Sequence, residues 1–430
     1  MRYSLDTDTP PEIKEFTKGM VDNFIRYLLD TDTIKSRTNT RVRECTTVIN
    51  VFYNNLYRHA SVNKSAMLIS LNDTTYSKPF ICNGRASKTK VSYTYTKRFF
   101  EYLESEGLAT IKKGYAEFDT YRSKGVYKYR VTDFVKSTLE LSYKLQQKGK
   151  ELVEILDFIP IRNVIVLRDK NKNDRTFKMP SNKVSIKNTL IKFNGYMSKK
   201  NIRDPLHSKD YILQLTKIFN TTFDRGGRMY DNGIQNLSKS ERKRLTIDEK
   251  TTCIYDYKAF ETSLIYSVQG EVMEGDPYKV KIEGYDNTLL REIGKMVMTR
   301  IYYCKDRSEL QASVSKSVQD KFNLTRLHDQ GKIPEKRIPV GVIIDLLMDK
   351  HECIMEHFFL DSDYDPSHLG SLVMDYVLEY MIQNYDAGII PVFDEVICEK
   401  EYEFELQEVM KRAYEFVVGT DKNCYIVKEK

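Results

Sequence analysis

The chain has 430 residues, a net charge of +7 and 41% hydrophobic residues. That length allows two or three domains with ample cores. No apolar run approaches the roughly 20 residues that span a bilayer, and the N-terminus lacks an apolar signal core. We therefore expect no membrane partner and a cytoplasmic protein, located in the host cytoplasm if its source is viral.

Cysteine and histidine usage argues against a zinc site. The seven cysteines are scattered and form no C-x-x-C pair, so we expect neither a zinc knuckle nor a disulfide framework. The close pair His351 and His357 does not have the spacing of a standard zinc site, and we interpret it as helix surface.

Charge is distributed unevenly along the chain. Residues 51–250 hold 39 Lys and Arg against 20 Asp and Glu, whereas residues 251–430 hold 21 against 33. A basic first part suits the phosphate backbone of a nucleic acid, and an acidic second part suits Mg²⁺. The alternative is that lysine-rich composition reflects an AT-rich genome.

The N-terminal part predicts helices. The segment around Thr40 to Tyr57 is helical in pattern, and from Ser87 the apolar residues recur at helical spacing until Gly107 ends the pattern. Lys97 and Arg98 lie on other faces of this second helix. We expect these two side chains to contact DNA.

Two β-prone runs follow the basic helix. Leu108 to Lys113 and Val126 to Val131 flank a polar segment that holds Lys124 and Gly125, and we predict that they pair as a wing. A basic helix that leads into a hairpin resembles a winged helix-turn-helix, which docks on duplex DNA. Winged helices also bind proteins, so a protein partner stays open. Residues 1–140 are therefore predicted to form a winged-helix-like DNA-binding domain.

Residues 141–245 predict a hairpin and a helical region. The hairpin is expected at Asn163 to Arg168 and Thr176 to Met179, around a turn-rich basic loop. Helical segments are expected between Lys187 and Phe219.

Two aspartates 138 positions apart each end an apolar, β-rich run. Asp256 ends the first, and Asp394 with Glu395 separates the second run from Val396 to Cys398. The second segment predicts a tight hairpin with solvated carboxylates at its tip. Two carboxylates from neighbouring strands suit a two-metal site that activates a 3′-hydroxyl and stabilises the leaving pyrophosphate. The alternative is that each aspartate only marks a strand entering a turn.

A helical pattern lies between the two aspartates, over residues 288–303. At 3.6 residues per turn, Arg291, Lys295 and Tyr303 fall within roughly a 120° sector of one face. The two cations can bind a triphosphate, and the tyrosine ring can stack on a base. An ordinary amphipathic helix with solvated cations is the alternative.

In this order the segments resemble the family A DNA polymerases, the bacterial polymerase I class. Residues 256–261, Asp-Tyr-Lys-Ala-Phe-Glu, resemble the first catalytic motif, Asp-Tyr-Ser-x-x-Glu. Arg291, Lys295 and Tyr303 have the spacing of the fingers-helix motif, Arg-x3-Lys-x7-Tyr-Gly, and residues 393–395 are similar to His-Asp-Glu. Residues 227–237 are similar to Thr-Gly-Arg-Leu…Leu-Gln-Asn, and residues 275–278 to the Asp-x-Tyr after the first motif. The resemblance covers about residues 185–420.

The resemblance implies a catalytic centre. Asp256 and Asp394 would bind two Mg²⁺ ions, with Mn²⁺ as the alternative, and Glu395 would be a nearby catalytic carboxylate. Arg291 and Lys295 would contact the incoming triphosphate.

It also implies roles in sugar and DNA recognition. Tyr303 would stack near the nascent base pair, and Glu261 would crowd the 2′-carbon of the sugar, which favours dNTPs. Arg228 and Gln235 would contact DNA.

The implied fold is α+β, a right-hand polymerase. Palm and fingers would occupy residues 246–430 and a reduced thumb would lie within 141–245. The implied activity is extension of a primer on a DNA template with dNTPs. No Asp-x-Glu near the N-terminus lies in a strand pattern, so we expect no proofreading exonuclease. A small polymerase with a fused DNA-binding domain is typical of a phage, plasmid or other mobile element, and replication proteins are candidate partners of the N-terminal domain.

Three positions depart from the family pattern, and two alternatives stay open. Phe393 replaces histidine, Cys304 replaces the glycine after the tyrosine, and Lys258 replaces a small residue. Phage-type single-subunit RNA polymerases share the two aspartates and the Arg-Lys-Tyr helix but lack a glutamate at the Glu261 position, so a primase or minimal RNA polymerase is the first alternative. The second is a non-enzymatic replication initiator that binds DNA.

Overall fold

The computed structural model describes residues 10–60, 65–77, 80–82, 84–87, 89–123, 126–155, 163–231, 233–360 and 364–429. The chain divides into two compact units: residues 1–216 with 230–251, and residues 217–229 with 252–430. Both contain helices and antiparallel strands, so the mixed helix-and-sheet content of the α+β prediction is confirmed. The predicted division at residues 140 and 245 stays a prediction.

Helices and strands alternate irregularly along the described residues. The α-helices are α1 (Pro11–Phe16), α2 (Lys18–Asp30), α3 (Asn39–Ala60), α4 (Asp73–Ser77), α5 (Tyr93–Ser105), α6 (Tyr143–Ile155), α7 (Val184–Met197), α8 (Lys239–Arg242), α9 (Phe260–Gln269), α10 (Asn287–Ile301), α11 (Arg307–Lys321), α12 (Leu324–Asp329), α13 (Val340–Lys350), α14 (Pro366–Tyr385) and α15 (Glu403–Val418). The strands are β1 (Ala66–Leu68), β2 (Ile81–Cys82), β3 (Arg85–Ala86), β4 (Ala109–Lys112), β5 (Tyr115–Ser123), β6 (Val126–Val135), β7 (Thr138–Leu141), β8 (Ile165–Arg168), β9 (Ile202–Asp204), β10 (Lys209–Tyr211), β11 (Thr216–Asn220), β12 (Gly226–Tyr230), β13 (Thr246–Ile247), β14 (Lys250–Tyr257), β15 (Ile389–Val392), β16 (Glu395–Glu399) and β17 (Ile426–Lys428).

The core of the first unit is aromatic and lies between α2, α3 and α5. The ring of Phe99 packs edge-to-face on Phe24 at 5.0 Å and on Phe52 at 5.2 Å between centroids. All three side chains are fully buried. The helix predicted around residues 40–57 is confirmed as α3. The helix predicted from Ser87 to Gly107 is present as α5 only from Tyr93 to Ser105, and it begins where the Ser92 hydroxyl accepts the Tyr95 N–H.

The predicted wing pairing is wrong. β4 pairs with β7, with Ala109 opposite Leu141, and β5 pairs with β6 as a separate hairpin. Residues 115–123, for which the sequence pattern predicts no strand, are rich in Tyr, Phe and Thr and form a strand of their own. Lys124 and Gly125 lie outside the described residues, and the winged-helix interpretation stays a prediction.

The helical prediction for residues 187–219 holds only as far as Met197. Beyond it β9 and β10 pair as a hairpin, because the buried Asp204 carboxylate accepts the Leu206 N–H at 3.0 Å and Arg244 donates to it at 3.2 Å. Ser208, with φ 48°, completes the turn. Upstream, the described residues 176–179 form no strand, so only the β8 half of that predicted hairpin is present.

The second unit is built on an antiparallel sheet in the order β15, β16, β14, β17. Helices α9, α14 and α15 pack together beside this sheet. Tyr257 in β14 is fully buried, stacks on Phe260 at 4.4 Å, and donates its hydroxyl to the Met410 carbonyl in α15 at 2.7 Å. These contacts fix the end of β14, where Asp256 lies, against the helices.

A second hydrophobic cluster joins α10, α11 and α13. The helix predicted over residues 288–303 is confirmed as α10, which begins where Asp286 accepts the Leu289 N–H at 2.8 Å.

The interpretation of the histidine pair as helix surface is wrong. His351 bridges Tyr266 and the Pro277 carbonyl, and His357 bonds Gln269, so both rings are buried as hydrogen-bonding core residues. No helix of the described residues has the length and apolarity that a bilayer crossing requires.

Candidate active site

The second unit contains a cavity of about 430 Å³ at the ends of β14 and β15. Helices α9, α10 and α14 and strand β12 contribute its other walls. The lining residues are Arg228, Met229, Asp256, Tyr257, Lys258, Ala259, Phe260, Glu261, Thr262, Tyr278, Arg291, Lys295, Met298, Thr299, Pro366, Ser367, Gly370, Ser371, Met374, Pro391, Phe393 and Asp394. Six residues predicted to form the site are therefore brought together here: Asp256, Asp394, Arg291, Lys295, Glu261 and Arg228.

Asp256 reaches the cavity from the end of β14, and Asp394 from the turn of the neighbouring β15–β16 hairpin. The Tyr257 N–H donates to the Asp394 carbonyl at 3.3 Å, which ties the end of β14 to the β15–β16 hairpin. Phe393 and Asp394 form the two-residue turn, with Phe393 at φ 60°. A two-residue turn with a left-handed first residue matches the twist of the flanking strands.

Glu395 departs from the predicted position. It is the first residue of β16, directly opposite Asp256, and its side chain is buried, so the hairpin tip consists of Phe393 and Asp394. The expectation of two solvated acids at the tip is wrong for Glu395, because pairing with Val392 begins at that residue. Its role as a catalytic carboxylate stays a prediction.

The donor set of the cavity fits Mg²⁺. Within the described residues no cluster of three His, Cys, Asp or Glu side chains could hold a metal. Mg²⁺ does not need one, since it keeps several waters and is usually bound by one or two carboxylates plus substrate phosphates. Asp256 and Asp394 supply those two carboxylates, and both are hard oxygen ligands.

Helix α10 presents Arg291 and Lys295 to the cavity. Arg291 donates through Nε to Asp276 Oδ2 at 2.5 Å, and its guanidinium lies 5.6 Å from the centre of the Tyr278 ring. Burial of Asp276 opposes ionisation, but the hydrogen bonds from Arg291 and the Tyr278 N–H, together with the charges of Arg291 and Lys350, outweigh it and lower the pKa of this carboxyl. Arg291 is therefore held above Tyr278 by a carboxylate that does not line the cavity.

Tyr303 does not share the predicted face of α10. The helix ends at Ile301, so Tyr303 lies beyond it and is absent from the cavity lining among the described residues. Its hydroxyl donates to Glu261 Oε1 at 2.5 Å. Tyr303 is brought to the site as a partner of Glu261 rather than as part of the cationic face.

Glu261 is held from two sides. Arg228 in β12 donates through Nη2 to the same oxygen that accepts the Tyr303 hydroxyl. Burial raises the pKa of Glu261, and Arg228 and Tyr303 counteract only part of that shift. The ion pair places Arg228 in the cavity wall, and its predicted contact with DNA backbone stays a prediction.

The position of Arg228 depends on Gly227. This glycine has φ 86°, and a Cβ on it would lie 2.8 Å from both the Ser371 hydroxyl in α14 and the Phe219 ring. Only glycine adopts that conformation readily and lets β12 approach α14 so closely. The contact fixes the strand from which Arg228 reaches Glu261.

Tyr278 and Lys258 also line the cavity, although they are not among the predicted site residues. Tyr278 is buried in the wall, and burial first, then the nearby Asp394 and Glu261 carboxylates, raises the pKa of its hydroxyl. The Asp-x-Tyr match at 276–278 was the available signal for it. Lys258 had been noted only as a departure from the family pattern.

The other two departures have structural explanations. Phe393 occupies the first turn position and lines the cavity with 42% of its surface exposed. Cys304 is buried in the second hydrophobic cluster, and its carbonyl accepts the Leu360 N–H at 3.1 Å.

Three predicted DNA contacts lie in the first unit. Arg98 and Lys97 on α5 are exposed and share Glu101, at 2.8 and 3.9 Å. The Gln235 side chain accepts the Asp231 N–H at 3.2 Å, which closes a local turn. DNA contact by these three residues stays a prediction.

No protein-family model matches the chain, and no curated protein matches it. Among solved structures, the chain is similar to the POL domain of Pol1 from M. smegmatis, in a complex with DNA primer-template and dNTP, at 12% sequence identity and a TM-score of 0.32. That similarity covers 57% of this chain and 50% of the other. The function proposed below rests on the residues of the cavity.

Proposed function

We propose that the protein is a template-directed nucleotidyltransferase, a small DNA polymerase that extends a primer with dNTPs. The observation that carries this proposal is one cavity in which Asp256 from β14 and Asp394 from the turn of the neighbouring hairpin meet Arg291 and Lys295 from a single helix. Carboxylates for divalent ions and cations for a triphosphate are the two requirements of phosphoryl transfer between nucleotides.

In this proposal the two aspartates hold the ions. Divalent ions bound there would lower the pKa of the primer 3′-hydroxyl and neutralise charge on the transferred and leaving phosphates. Asp256 is anchored by the buried Tyr257, and Asp394 by the turn, so both carboxylates belong to rigid elements. Rigid placement is needed because transition-state stabilisation depends on preorganised charge.

Arg291 and Lys295 would bind the triphosphate. A planar guanidinium matches two phosphate oxygens, and an ammonium acts as a point charge beside them. Arg291 would exchange its Asp276 contact for the nucleotide, with Tyr278 beneath it as a fixed platform.

Glu261 would distinguish the sugars. Its carboxylate is held by Arg228 and Tyr303 in the wall of the cavity, so it cannot swing away freely from a 2′-hydroxyl placed against it. A buried group held by two hydrogen bonds excludes an extra hydroxyl more strictly than a mobile one.

The first test is extension of a labelled DNA primer on a DNA template with Mg²⁺, with dNTPs and rNTPs supplied separately. Asp394→Asn should reduce extension at least about 100-fold, because it removes charge stabilisation worth several kcal/mol. Asp320→Asn, at an exposed position of α11, makes the same chemical change outside the cavity and should leave the rate unchanged. Preference for rNTPs would indicate an RNA-synthesising enzyme, and no extension by the wild type with either nucleotide would overturn the proposal.

A further inference from the structure

Four cations line the cavity, and they divide into two pairs. Arg228 is ion-paired with Glu261, and Arg291 with Asp276. Lys258 and Lys295 belong to the same lining, and neither side chain has a hydrogen bond or ion pair with any of the described residues. The two lysines are thus the cations that a bound anion meets without displacing a protein carboxylate.

Lys258 reaches the cavity from the same segment as Asp256. Lys258 lies two residues after Asp256 and directly follows the end of β14, and both residues line the cavity. The Lys258 N–H donates to the Tyr425 carbonyl at 2.8 Å, which fixes the backbone here. The side chain itself is exposed, so its length and flexibility let the ammonium follow a ligand.

Lys258 and Lys295 approach from different elements. Lys295 extends from α10, and Lys258 follows the last residue of β14. An anion with several charged groups, such as a chain of phosphates, can contact cations on both elements at once. A single carboxylate or phosphate is too small to require two walls.

We propose that Lys258 binds the β- and γ-phosphates of the incoming nucleoside triphosphate, as a second lysine contact opposite Lys295. This inference rests on the proposed function, because it assigns a residue to the nucleotide of that reaction. It adds a residue from the Asp256 segment, so the segment that supplies one metal-binding carboxylate also recognises the phosphates.

The test is a calorimetric titration of the full chain with dATP, dADP and dAMP in Mg²⁺, without primer, so that no turnover occurs. Lys258→Ser should weaken dATP binding by roughly 10-fold or more, the loss expected for a charge-assisted hydrogen bond. The loss should be smaller for dADP and absent for dAMP, which has neither a β- nor a γ-phosphate. Lys258→Arg, which keeps the charge, should recover part of the affinity.

Lys316→Ser is the matched control. Lys316 is exposed on α11 and outside the cavity lining, so this variant makes the same charge change without the proposed contact. Equal thermal unfolding midpoints for the two serine variants and the wild type would show that folding is unaffected.

Three results would overturn the inference. The first is an affinity of Lys258→Ser for dATP within twofold of the wild type. The second is a loss of dAMP affinity equal to the loss of dATP affinity. The third is a loss of affinity only for the primer-template, measured in parallel by fluorescence anisotropy. The last result would assign Lys258 to a DNA phosphate. These results are distinguishable from failure of the proposed function. A wild type that binds dATP but does not extend a primer would fail the primer-extension test, whereas the dATP titration of Lys258→Ser would still measure the contact between Lys258 and the phosphates.

Discussion

Replacing Gly294 with alanine should destabilise α10 and weaken nucleotide binding. A Cβ on Gly294 would lie 2.1 Å from the carbonyl oxygen of Tyr278 and 3.1 Å from its carbonyl carbon. Both obstacles are backbone atoms, so no side-chain rotation relieves the clash. To reach an ordinary contact, α10 and the Tyr278 segment must separate by about 1.3 Å.

The magnitude follows from two opposing effects. Overpacking against an unyielding neighbour costs about 3 kcal/mol, at the upper end of the usual range. Alanine favours a helix over glycine by about 1 kcal/mol. The net loss is about 2 kcal/mol, which corresponds to a roughly 30-fold larger population of the open helix and so to roughly 30-fold faster amide exchange. Because Arg291 and Lys295 flank Gly294 on α10, their displacement should also reduce dATP affinity.

Hydrogen–deuterium exchange of α10 peptides measures this loss directly. Gly195→Ala in α7 is the matched control, because a Cβ at Gly195 meets no atom within 4 Å. That variant should slow exchange in α7 by roughly fivefold, from helix propensity alone. Wild-type or slower exchange of α10 in Gly294→Ala would refute the close approach of α10 to Tyr278.

The other predictions concern Glu261 and the first unit. Glu261→Ala should raise the use of rNTPs relative to dNTPs roughly 10- to 100-fold in competitive primer extension. Tyr303→Phe removes one hydrogen bond to Glu261 and should raise rNTP use by a smaller factor. Unchanged selectivity in both variants would contradict the role of Glu261 in sugar recognition. Burial raises the pKa of Glu261, so its contribution to folding is present at low pH and is lost as the pH rises through that raised pKa. Glu261→Gln should therefore gain stability relative to the wild type as the pH rises above about 4.3, as measured by thermal unfolding. Combined Lys97→Ala and Arg98→Ala should reduce the slope of log K against log salt for duplex DNA by about 2, and an unchanged slope would exclude them as phosphate contacts.

The β15–β16 hairpin shows what sequence patterns predict and what they leave open. Two β-prone runs around a pair of acids correctly predict strands β15 and β16. The pattern does not fix the turn, because Phe393 adopts the left-handed conformation that usually calls for Gly or Asn. The turn lies one residue earlier than a tip formed by the two acids would require, so Glu395 already belongs to β16. Glu395 is therefore buried, while Asp394 reaches the cavity.

The α10 segment shows a different limit. Apolar spacing correctly predicts the helix and the common face of Arg291 and Lys295. The helical angle that adds Tyr303 to that face applies only while the helix continues, and α10 ends two residues before it. The contact with Glu261 joins residues 42 positions apart, and periodicity says nothing about such a contact.

The availability of each cation is likewise a tertiary property. On sequence grounds Arg228, Arg291, Lys258 and Lys295 are equivalent positive charges. The fold brings a carboxylate to each arginine, where the planar guanidinium forms directed hydrogen bonds, and within the described residues it brings no acceptor to either lysine. Nucleotide binding would then begin with the lysines, and the exchange of Arg291 from Asp276 to the phosphates would follow. Asp276→Asn should accordingly favour the later exchange of Arg291 and so raise the overall affinity for dATP, since it weakens the competing ion pair. Lys258→Ser should instead weaken the first contact, so calorimetric titration of the two variants with dATP separates the two steps.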